Sequence, residues 1–245
     1  NSLDAKTTAA VSVDSTTVTG TFADIVAAYA SSGLVGLGNE AITPTGAITV
    51  AQANTLNALT TGIVTATISD GDMATLAGLV DNVDGNGVQV NDGANNPVDV
   101  DNAYTITVTD TTVAAAALNT LNAKTSVAVG AAAANTVTGA MADLVTVYAA
   151  GAAGSITGLG AEAVTISDGT ITVGEINTFA ALTTGVVTAT IATGTIAQLD
   201  VISETGNALS FTVNDGTVDA ATLNNLRAKT TGVVTVSGNI INGTA

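Results

Sequence analysis

Cysteine and histidine are both absent from this 245-residue chain. Their absence excludes disulfides, thiolate chemistry, and metal sites or general bases that depend on histidine. Aromatic residues make up only 2% of the sequence, although apolar residues make up 47%. A core must therefore be built from small and β-branched side chains, which suits thin, close-packed layers better than a thick globule with bulky anchors.

Basic residues are scarce as well: the chain has four, Lys6, Lys124, Arg227 and Lys229, against 20 acidic residues. With a net charge of −16, we expect no binding to nucleic acid or to anionic membranes. No uninterrupted run of 18 apolar residues occurs, so we predict no membrane insertion. An acidic, cysteine-free chain rich in Thr, Ser and Asn is typical of an extracellular or cell-surface protein in a salty medium.

The sequence does contain an internal repeat. One pattern, L-x-A-x-T, begins at Leu3, Leu56, Leu121 and Leu226, and Phe179 replaces the leucine in a fifth copy. A second pattern alternates with it: TFADIVAAY at 21–29, DMATLAGLV at 72–80, AMADLVTVY at 140–148 and TIAQLDVIS at 195–203. A longer duplication overlies both, because Tyr29 corresponds to Tyr148 and Gly38 to Gly160.

Both patterns predict helices. In the second pattern, apolar residues recur at i, i+3, i+4 and i+7, as in Met141, Leu144, Val145 and Tyr148, which is one face of a helix.

The first pattern also carries start and stop signals. Capping boxes are predicted at Thr49 with Gln52 and at Thr172 with Glu175, and Asp219 holds the equivalent N-cap position. The predicted left-handed C-caps are the glycines that end each TTG, namely Gly62, Gly185 and Gly232.

Short alternating segments between the helices predict nine strands. They are residues 11–13, 41–43, 63–68, 104–109, 127–129, 163–167, 186–191, 209–213 and 233–237. Because each helix is about as long as each strand, one β-α unit can close a coil and start the next strand beside the last. The predicted fold class is α/β: a right-handed βα solenoid of tandem strand-helix repeats with a parallel sheet and helices on one face.

We predict one repeat solenoid over residues 1–245, with about nine βα coils. The repeats fall at roughly 1–62, 63–125, 126–185 and 186–232. LDAKT, at residues 3–7, is the tail of a repeat, so we expect the chain to be part of a longer protein.

One face of the predicted sheet is rich in hydroxyl groups. A strand that is buried on both faces reads as a continuous apolar run, but in these strands Val, Ala and Ile alternate with Thr and Ser. We call the hydroxyl positions the threonine face: Thr65, Thr67, Thr105, Thr107, Thr109, Thr165, Ser167, Thr188, Thr190, Ser210, Thr212, Thr235 and Ser237. It is predicted to meet water, or else to bind a sugar, a second copy or ice.

Two further sets recur in register with the repeat. An asparagine stands at one helical position, as Asn54, Asn119, Asn177 and Asn224. It is predicted to bond turn carbonyls of the neighbouring coil from inside the fold; a solvated surface asparagine is the alternative. SDG at 69–71 and 167–169 and NDG at 214–216 are predicted turns in which Asp bonds the backbone and Gly takes a positive φ.

Eighteen extra residues, 84–101, interrupt one coil and predict a hairpin with strands VQV and VDV. NVDGNG at 82–87 has oxygen ligands at alternate positions before a glycine, as an EF-hand-type loop does at its start. Gly93 stands where such a loop has its bidentate glutamate. The predicted ligands of a weak Ca²⁺ site in 81–101 are Asp81, Asp84, Asn86 and Asp92; a solvated loop is the alternative, and no other cofactor is predicted.

Several stretches resemble a known group of repeats. GLGNEAIT, GLGAEAVT, LNTLNAKTS and TVTGAMADLVTVYAAG resemble the tandem repeats of giant cell-surface proteins of marine cyanobacteria, the group that includes the very large protein required for non-flagellar swimming. Similar repeats occur in large adhesins and phage structural proteins. The resemblance covers nearly the whole chain except 84–101, implies surface display and a structural role, and carries no catalytic residues.

We therefore expect a non-enzymatic structural or spacer segment of a giant extracellular or cell-surface repeat protein. Its expected partners are neighbouring repeats of the same chain and other surface proteins or glycans. The alternative is an adhesin-type binding module that uses the threonine face for a glycan, self-association or ice. A glycosidase with paired carboxylates is the remaining alternative, but it would lack the aromatic platforms that sugar sites usually have.

Overall fold

The computed structural model describes residues 4–80 and 102–241, and the chain forms two compact units. Unit 1 comprises Asn1–Asp110, Asn119–Ala132 and Ala153–Thr157, and unit 2 comprises Thr111–Leu118, Ala133–Ala152 and Gly158–Ala245. Each is a mixed α/β unit, and every strand pair within the described residues is parallel. The α/β class with parallel sheets is therefore confirmed.

The described residues contain eight α-helices and sixteen short strands. The helices are α1 Phe22–Tyr29, α2 Val50–Asn57, α3 Met73–Leu76, α4 Ala115–Asn122, α5 Met141–Ala153, α6 Val173–Ala180, α7 Ile196–Leu199 and α8 Ala220–Arg227. The strands are β1 Val11–Ser12, β2 Thr17–Gly20, β3 Leu34–Val35, β4 Ala41–Pro44, β5 Thr65–Thr67, β6 Ala103–Thr105, β7 Thr112–Ala114, β8 Val129–Gly130, β9 Thr136–Gly139, β10 Ile156–Thr157, β11 Ala163–Ile166, β12 Val187–Thr190, β13 Ala208–Val213, β14 Thr217–Asp219, β15 Val234–Val236 and β16 Asn239–Ile241.

Each of the nine predicted strands overlaps an observed one, and seven further strands were not predicted: β2, β3, β7, β9, β10, β14 and β16. These seven strands have only two to four residues each. Two of them, β7 and β14, pass directly into a helix. Such segments are too short to show an alternation, because a period of two needs several residues to be visible.

In unit 2, six strands form one parallel sheet in the order β15-β13-β12-β11-β9-β7. This order follows the order of the six strands along the chain, so each connection adds the next strand beside the last. Paired residues lie one coil apart in sequence, as Val164 with Val187 and Phe211 with Val234 show. A separate pair, β14 with β16, is also parallel.

Unit 1 contains the parallel pairs β1-β3, β2-β4, β5-β6 and β8-β10. Thr65 pairs with Ala103, 38 positions later, whereas in unit 2 Thr188 pairs with Ala208, 20 positions later. The two connections differ by 18 residues, the number of extra residues counted from the sequence. The predicted hairpin at 84–101 lies outside the described residues.

The predicted alternation of the strands is confirmed by burial. Val64, Tyr104 and Leu209 are fully buried, while Thr65 and Thr105 on the neighbouring positions are exposed. Burying these Val, Leu and Ile side chains gives the largest favourable free energy that this composition offers.

Local helix signals are also confirmed. Thr49 and Thr172 form the predicted capping boxes, and Asp219 accepts a hydrogen bond from the backbone N–H of Thr222. That hydrogen bond holds the pKa of Asp219 below its usual value. The buried face of α5 differs from the predicted one: Val145, which was predicted to lie on it, is 43% exposed, and Val147 is fully buried instead.

The prediction of left-handed C-caps is wrong. The helices α2, α6 and α8 end in right-handed C-caps at Ala58, Ala181 and Ala228. The TTG glycines are not among the glycines with positive φ; a Cβ there would collide with the backbone of the neighbouring coil. At Gly185, for example, it would lie 2.5 Å from the carbonyl carbon of Glu162. These glycines are required by close packing of the backbone, not by an unusual backbone conformation.

No helix within residues 4–80 and 102–241 combines the length and the hydropathy needed to cross a membrane.

Candidate functional site

The threonine face of unit 2 is an uncharged surface. The outward positions of its six-stranded sheet are Thr112, Ala114, Thr136, Thr138, Ala163, Thr165, Thr188, Thr190, Ala208, Ser210, Thr212 and Thr235. Thr138, Thr165 and Thr188 stand side by side on three neighbouring strands. A shallow depression of about 170 Å³ lies among Thr190, Ser210 and neighbouring residues. The structure thus places four of the predicted hydroxyl groups, those of Thr190, Ser210, Thr212 and Thr235, around one open recess.

Unit 1 has a similar surface on β4, β5 and β6. Thr43, Thr65, Thr67 and Thr105 line an open depression of about 330 Å³ together with Pro44. Hydroxyl and methyl groups alternate there, so the surface offers weak hydrogen bonds and small apolar contacts rather than a charged site.

Buried polar residues form a second recurring feature, which sequence reasoning missed. We call them the polar ladder: Glu40, Thr60, Asn102 and Thr125 in unit 1, and Glu162, Thr183, Asn207 and Thr230 in unit 2. All but Thr183 are buried. The order Glu, Thr, Asn, Thr is the same in both units. A sequence signal existed, because Glu40, Asn102, Glu162 and Asn207 are each followed by an alanine that begins a strand.

The threonines of the polar ladder bond the backbone of the preceding coil. Thr60 Oγ1 donates to the carbonyl of Glu40 at 2.6 Å. Thr230 Oγ1 accepts from the backbone N–H of Leu209 at 2.8 Å and lies 2.7 Å from the carbonyl oxygen of the same residue. Each hydroxyl therefore takes the place of a missing backbone partner where a strand begins.

The asparagines of the polar ladder also bond the backbone of the preceding coil. Asn102 Oδ1 accepts from the backbone N–H of Val64 at 2.8 Å, and Asn207 Oδ1 accepts from that of Val187, also at 2.8 Å. The side-chain amide of Asn102 also donates to Asn57 Oδ1 at 2.9 Å. These bonds satisfy buried polar groups that water cannot reach.

The glutamates of the polar ladder are the least exposed carboxylates in the described residues, at 1% for Glu40 and 5% for Glu162. The hydroxyl of Tyr29 and the backbone N–H of Gly38 donate to Glu40 Oε2 at 2.9 and 2.8 Å. In unit 2, Tyr148 donates to Glu162 Oε1.

Glu162 Oε2 accepts from the backbone N–H groups of Gly160 and Ala161 at 2.8 and 3.0 Å. An ionised carboxylate accepts several hydrogen bonds and donates none, so it matches these donors.

The pKa values of Glu40, Tyr29 and Tyr148 follow from burial and from the hydrogen bonds. Burial opposes the charge on Glu40, but the backbone N–H of Gly38 and the hydroxyl of Tyr29 outweigh it, so the pKa of Glu40 is lowered. Burial, together with the bonded carboxylate, raises the pKa values of Tyr29 and Tyr148. Protonated Tyr29 and Tyr148 therefore contribute fully to the free energy of unfolding below about pH 10, the ordinary tyrosine pKa. This contribution is lost as the pH rises above that value.

The aspartates at the strand ends bond the backbone, as predicted, but not within their own turns. Asp70 Oδ2 accepts from the N–H of Val50, the first residue of α2, at 2.7 Å. Asp168 and Asp215 do the same for the first residues of α5 and α7. Each carboxylate thus caps the helix that precedes its strand, where the positive end of the helix dipole favours a negative charge.

The prediction that the glycines of these turns take a positive φ is wrong for Gly71, Gly169 and Gly216. At Gly71, a Cβ would lie 2.5 Å from Thr109 Cγ2, so the glycine is needed there for packing. Space is open at Gly169 and Gly216, and we have no physical account of the glycine at these two positions.

The asparagine prediction is confirmed in part. Asn54 Nδ2 donates to the carbonyl of Gly78 at 2.8 Å, and Asn54 Oδ1 accepts from the N–H of Val80 at 2.9 Å. Asn177 bonds the carbonyl of Val201 and the N–H of Ser203 in the same way. These side chains bond a turn of the following coil, as expected, but they are partly exposed rather than inward. Asn224 is exposed.

Two of the four basic residues also bond the turns after α3 and α7, the turns that Asn54 and Asn177 bond. Lys124 Nζ donates to the carbonyls of Ala77 and Leu79 at 2.9 and 2.6 Å. Lys229 donates to the carbonyls of Asp200 and Ile202 and pairs with the Asp200 carboxylate at 3.2 Å. The scarce positive charges are therefore placed at helix C-terminal carbonyls, where the dipole favours them.

Thr230→Val tests whether the polar ladder stabilises the fold. Valine has nearly the same shape but leaves the buried N–H of Leu209 without its acceptor, so we expect a loss of about 1–3 kcal/mol in the free energy of unfolding. Urea denaturation followed by circular dichroism measures it. The matched control is Thr190→Val on the exposed threonine face, which should stay within about 0.5 kcal/mol of wild type. Equal effects of the two variants would contradict the assigned role.

The predicted calcium ligands Asp81, Asp84, Asn86 and Asp92 lie outside the described residues. Within residues 4–80 and 102–241, no group of three Asp, Glu, His or Cys side chains is arranged to hold a metal ion.

Comparison with protein-family models, curated proteins and solved structures finds no match to this chain.

Proposed function

We propose that the chain is a non-enzymatic structural segment, a spacer, of a giant extracellular or cell-surface repeat protein. The observation that carries this proposal is how the polar side chains are used. In each unit, threonines and asparagines of the polar ladder bond the backbone of an adjacent coil, with the same residue types in the same order. A segment in which such bonds recur from coil to coil is suited to keeping a fixed length and stiffness.

The proposed architecture is a right-handed βα solenoid. It is supported by the parallel pairing of successive strands, by the sheet order of unit 2, which follows the chain, and by the near-universal right-handedness of parallel crossovers. Its neighbours would be further repeats of the same kind, because solenoids are built from units that contact only their neighbours.

Electron microscopy of a tandem protein with four copies of this sequence would test the proposal. A solenoid of about nine coils at about 4.8 Å per strand gives roughly 40 Å per copy. The tandem protein should therefore be a continuous filament about four times the length of one copy. Separate globules joined by variable gaps would contradict the spacer proposal. A single copy, imaged in parallel, gives the reference length.

The second candidate is an adhesin-type module that binds through the threonine face. The open, uncharged depressions on both units favour it. A glycan array and an ice-recrystallisation assay separate the two candidates, with Thr190→Lys as the variant that would remove binding to unit 2. Detection of a ligand that this variant loses would favour the adhesin; absence of any ligand would favour the spacer.

The calcium site at Asp81, Asp84, Asn86 and Asp92 stays a prediction from the sequence. Thermal melting with Ca²⁺ and with EDTA tests it. A cation that binds only the folded chain raises the melting midpoint, and an unchanged midpoint would rule the site out.

A further inference from the structure

Two glycine turns are held by buried carboxylates, one in each unit. The turn in unit 1 comprises residues 36–39, between β3 and β4; the turn in unit 2 comprises residues 158–161, between β10 and β11. Gly38 and Gly160 have φ values of 135° and 126°. A backbone of this kind does not continue the neighbouring strands, so its N–H groups depend on other acceptors.

The two sides of each turn are bonded differently. On one side, the carbonyl oxygens of Gly38 and Gly160 accept from the N–H groups of Thr61 and Thr184 in the following coil, at 2.9 and 2.8 Å. On the other side, the N–H groups of the same glycines donate to the glutamate side chains at 2.8 Å. The amide side of each turn is therefore fixed by a titratable group.

We propose that Glu40 makes the turn at 36–39 acid-sensitive: protonation of this buried carboxylate releases the Gly38 amide and the bonded Tyr29 hydroxyl, and the turn opens while the adjoining strands stay paired. The reason is that the groups around the carboxylate are hydrogen-bond donors, which match only its ionised form. The ionised carboxylate is surrounded by N–H and O–H donors. A protonated carboxyl brings a further donor to that place and loses acceptor strength.

Among the residues that the structure describes, the groups that face each carboxylate carry no positive charge. Tyr29 from α1 bonds Glu40, and Asp14, from the segment between β1 and β2, lines the same open depression of about 380 Å³. In unit 2, Tyr148 from α5 bonds Glu162. From the following coil, the residues against the two glutamate backbones are threonine and glycine, which carry no charge.

The direction of the pH effect follows for Glu40. Burial would raise its pKa, but the N–H of Gly38 and the hydroxyl of Tyr29 leave the pKa lowered. A carboxylate with a lowered pKa stabilises the folded state fully above its ordinary pKa of about 4.3, and this contribution is lost as the pH falls through the pKa of the folded state. The turn is therefore closed at neutral pH and opens in acid.

Amide hydrogen exchange measured by NMR on the intact chain tests the proposal. In a titration from pH 7 to the lowest pH at which the chain stays folded, the protection factor of the Gly38 amide should fall at least about tenfold relative to that of the Val64 amide, since losing a charge-assisted hydrogen bond has about this effect. Val64 is the matched reference, because its amide donates to Asn102, which does not titrate. A constant ratio between the two amides would overturn the proposal.

Glu40→Gln removes the charge and keeps the side-chain size. We expect the Gly38 amide to lose at least about tenfold in protection already at pH 7, while the Gly160 amide in the same molecule stays as in wild type. Unchanged protection of Gly38 in this variant would overturn the proposal. Asp14→Asn is the control for the neighbouring carboxylate and should keep the wild-type response; loss of the response would assign the effect to Asp14 instead. If Glu40→Gln does not fold, the wild-type pH series decides.

Discussion

Gly185→Ala should destabilise the chain by about 3 kcal/mol or more, although it adds a single methyl group. The new Cβ would lie 2.5 Å from the carbonyl carbon of Glu162 and 2.9 Å from the carbonyl oxygen of Ala161. Both are backbone atoms, so they cannot move away as the end of a flexible side chain can. Overpacking of this kind costs 1–3 kcal/mol in side-chain cores, and backbone contacts bring it to the upper end or beyond.

Gly169→Ala is the matched control. Gly169 has no positive φ, and a Cβ there meets nothing within 4 Å. Alanine at such a position reduces the entropy of the unfolded chain, so we expect a change between zero and a stabilisation of about 1 kcal/mol. Chemical denaturation of both variants, monitored by circular dichroism, gives the comparison. If Gly185→Ala were as stable as Gly169→Ala, the close approach of neighbouring coils at Gly185 would be disproved.

Phe179→Ala should have the second large effect, about 3–5 kcal/mol. Phe179 is fully buried in unit 2, and its ring packs edge to face on Tyr148 with centroids 5.3 Å apart. The protein has few aromatic residues, and the surrounding small side chains are poorly able to fill the cavity left by a phenyl ring. The loss also removes support from the tyrosine that bonds Glu162.

Leu182→Ala is the control for Phe179→Ala. Leu182 lies three residues after Phe179 and is 45% exposed. Removal of an exposed side chain should change stability by no more than about 0.5 kcal/mol. Thermal and urea unfolding of both variants measure the difference. A loss below 1 kcal/mol for Phe179→Ala would mean that this ring is not part of a packed core.

Local signals explain why much of the fold was predictable. The capping residues Thr49 and Thr172 bond amides three positions away, so both partners are visible in a short window of sequence. The alternation around Val64 and Thr65 likewise depends on a period of two residues. Such features need no knowledge of what lies next to them in space.

The partners of the polar groups were not predictable in this way. Asp70 was expected to bond its own turn, yet it caps α2, 20 positions earlier. Gly62 was expected to end a helix, yet it is needed because the backbone near Glu40 lies against it. Glu40 itself gave no sequence signal of charge pairing, since its partners are one tyrosine and backbone amides.

The sequence by itself determined the helix N-caps at Thr49, Thr172 and Asp219 and the buried and exposed faces of the predicted strands, because these depend on residues close together along the chain. Only the tertiary structure decided which backbone atoms of other coils are met by the strand-end aspartates and by the polar ladder. The reason is the varying length of the coils: Thr188 pairs with a residue 20 positions away, whereas Thr136 pairs with one 27 positions away. No fixed spacing in the sequence therefore marks the bonds between coils, although those bonds hold the buried polar groups of both units.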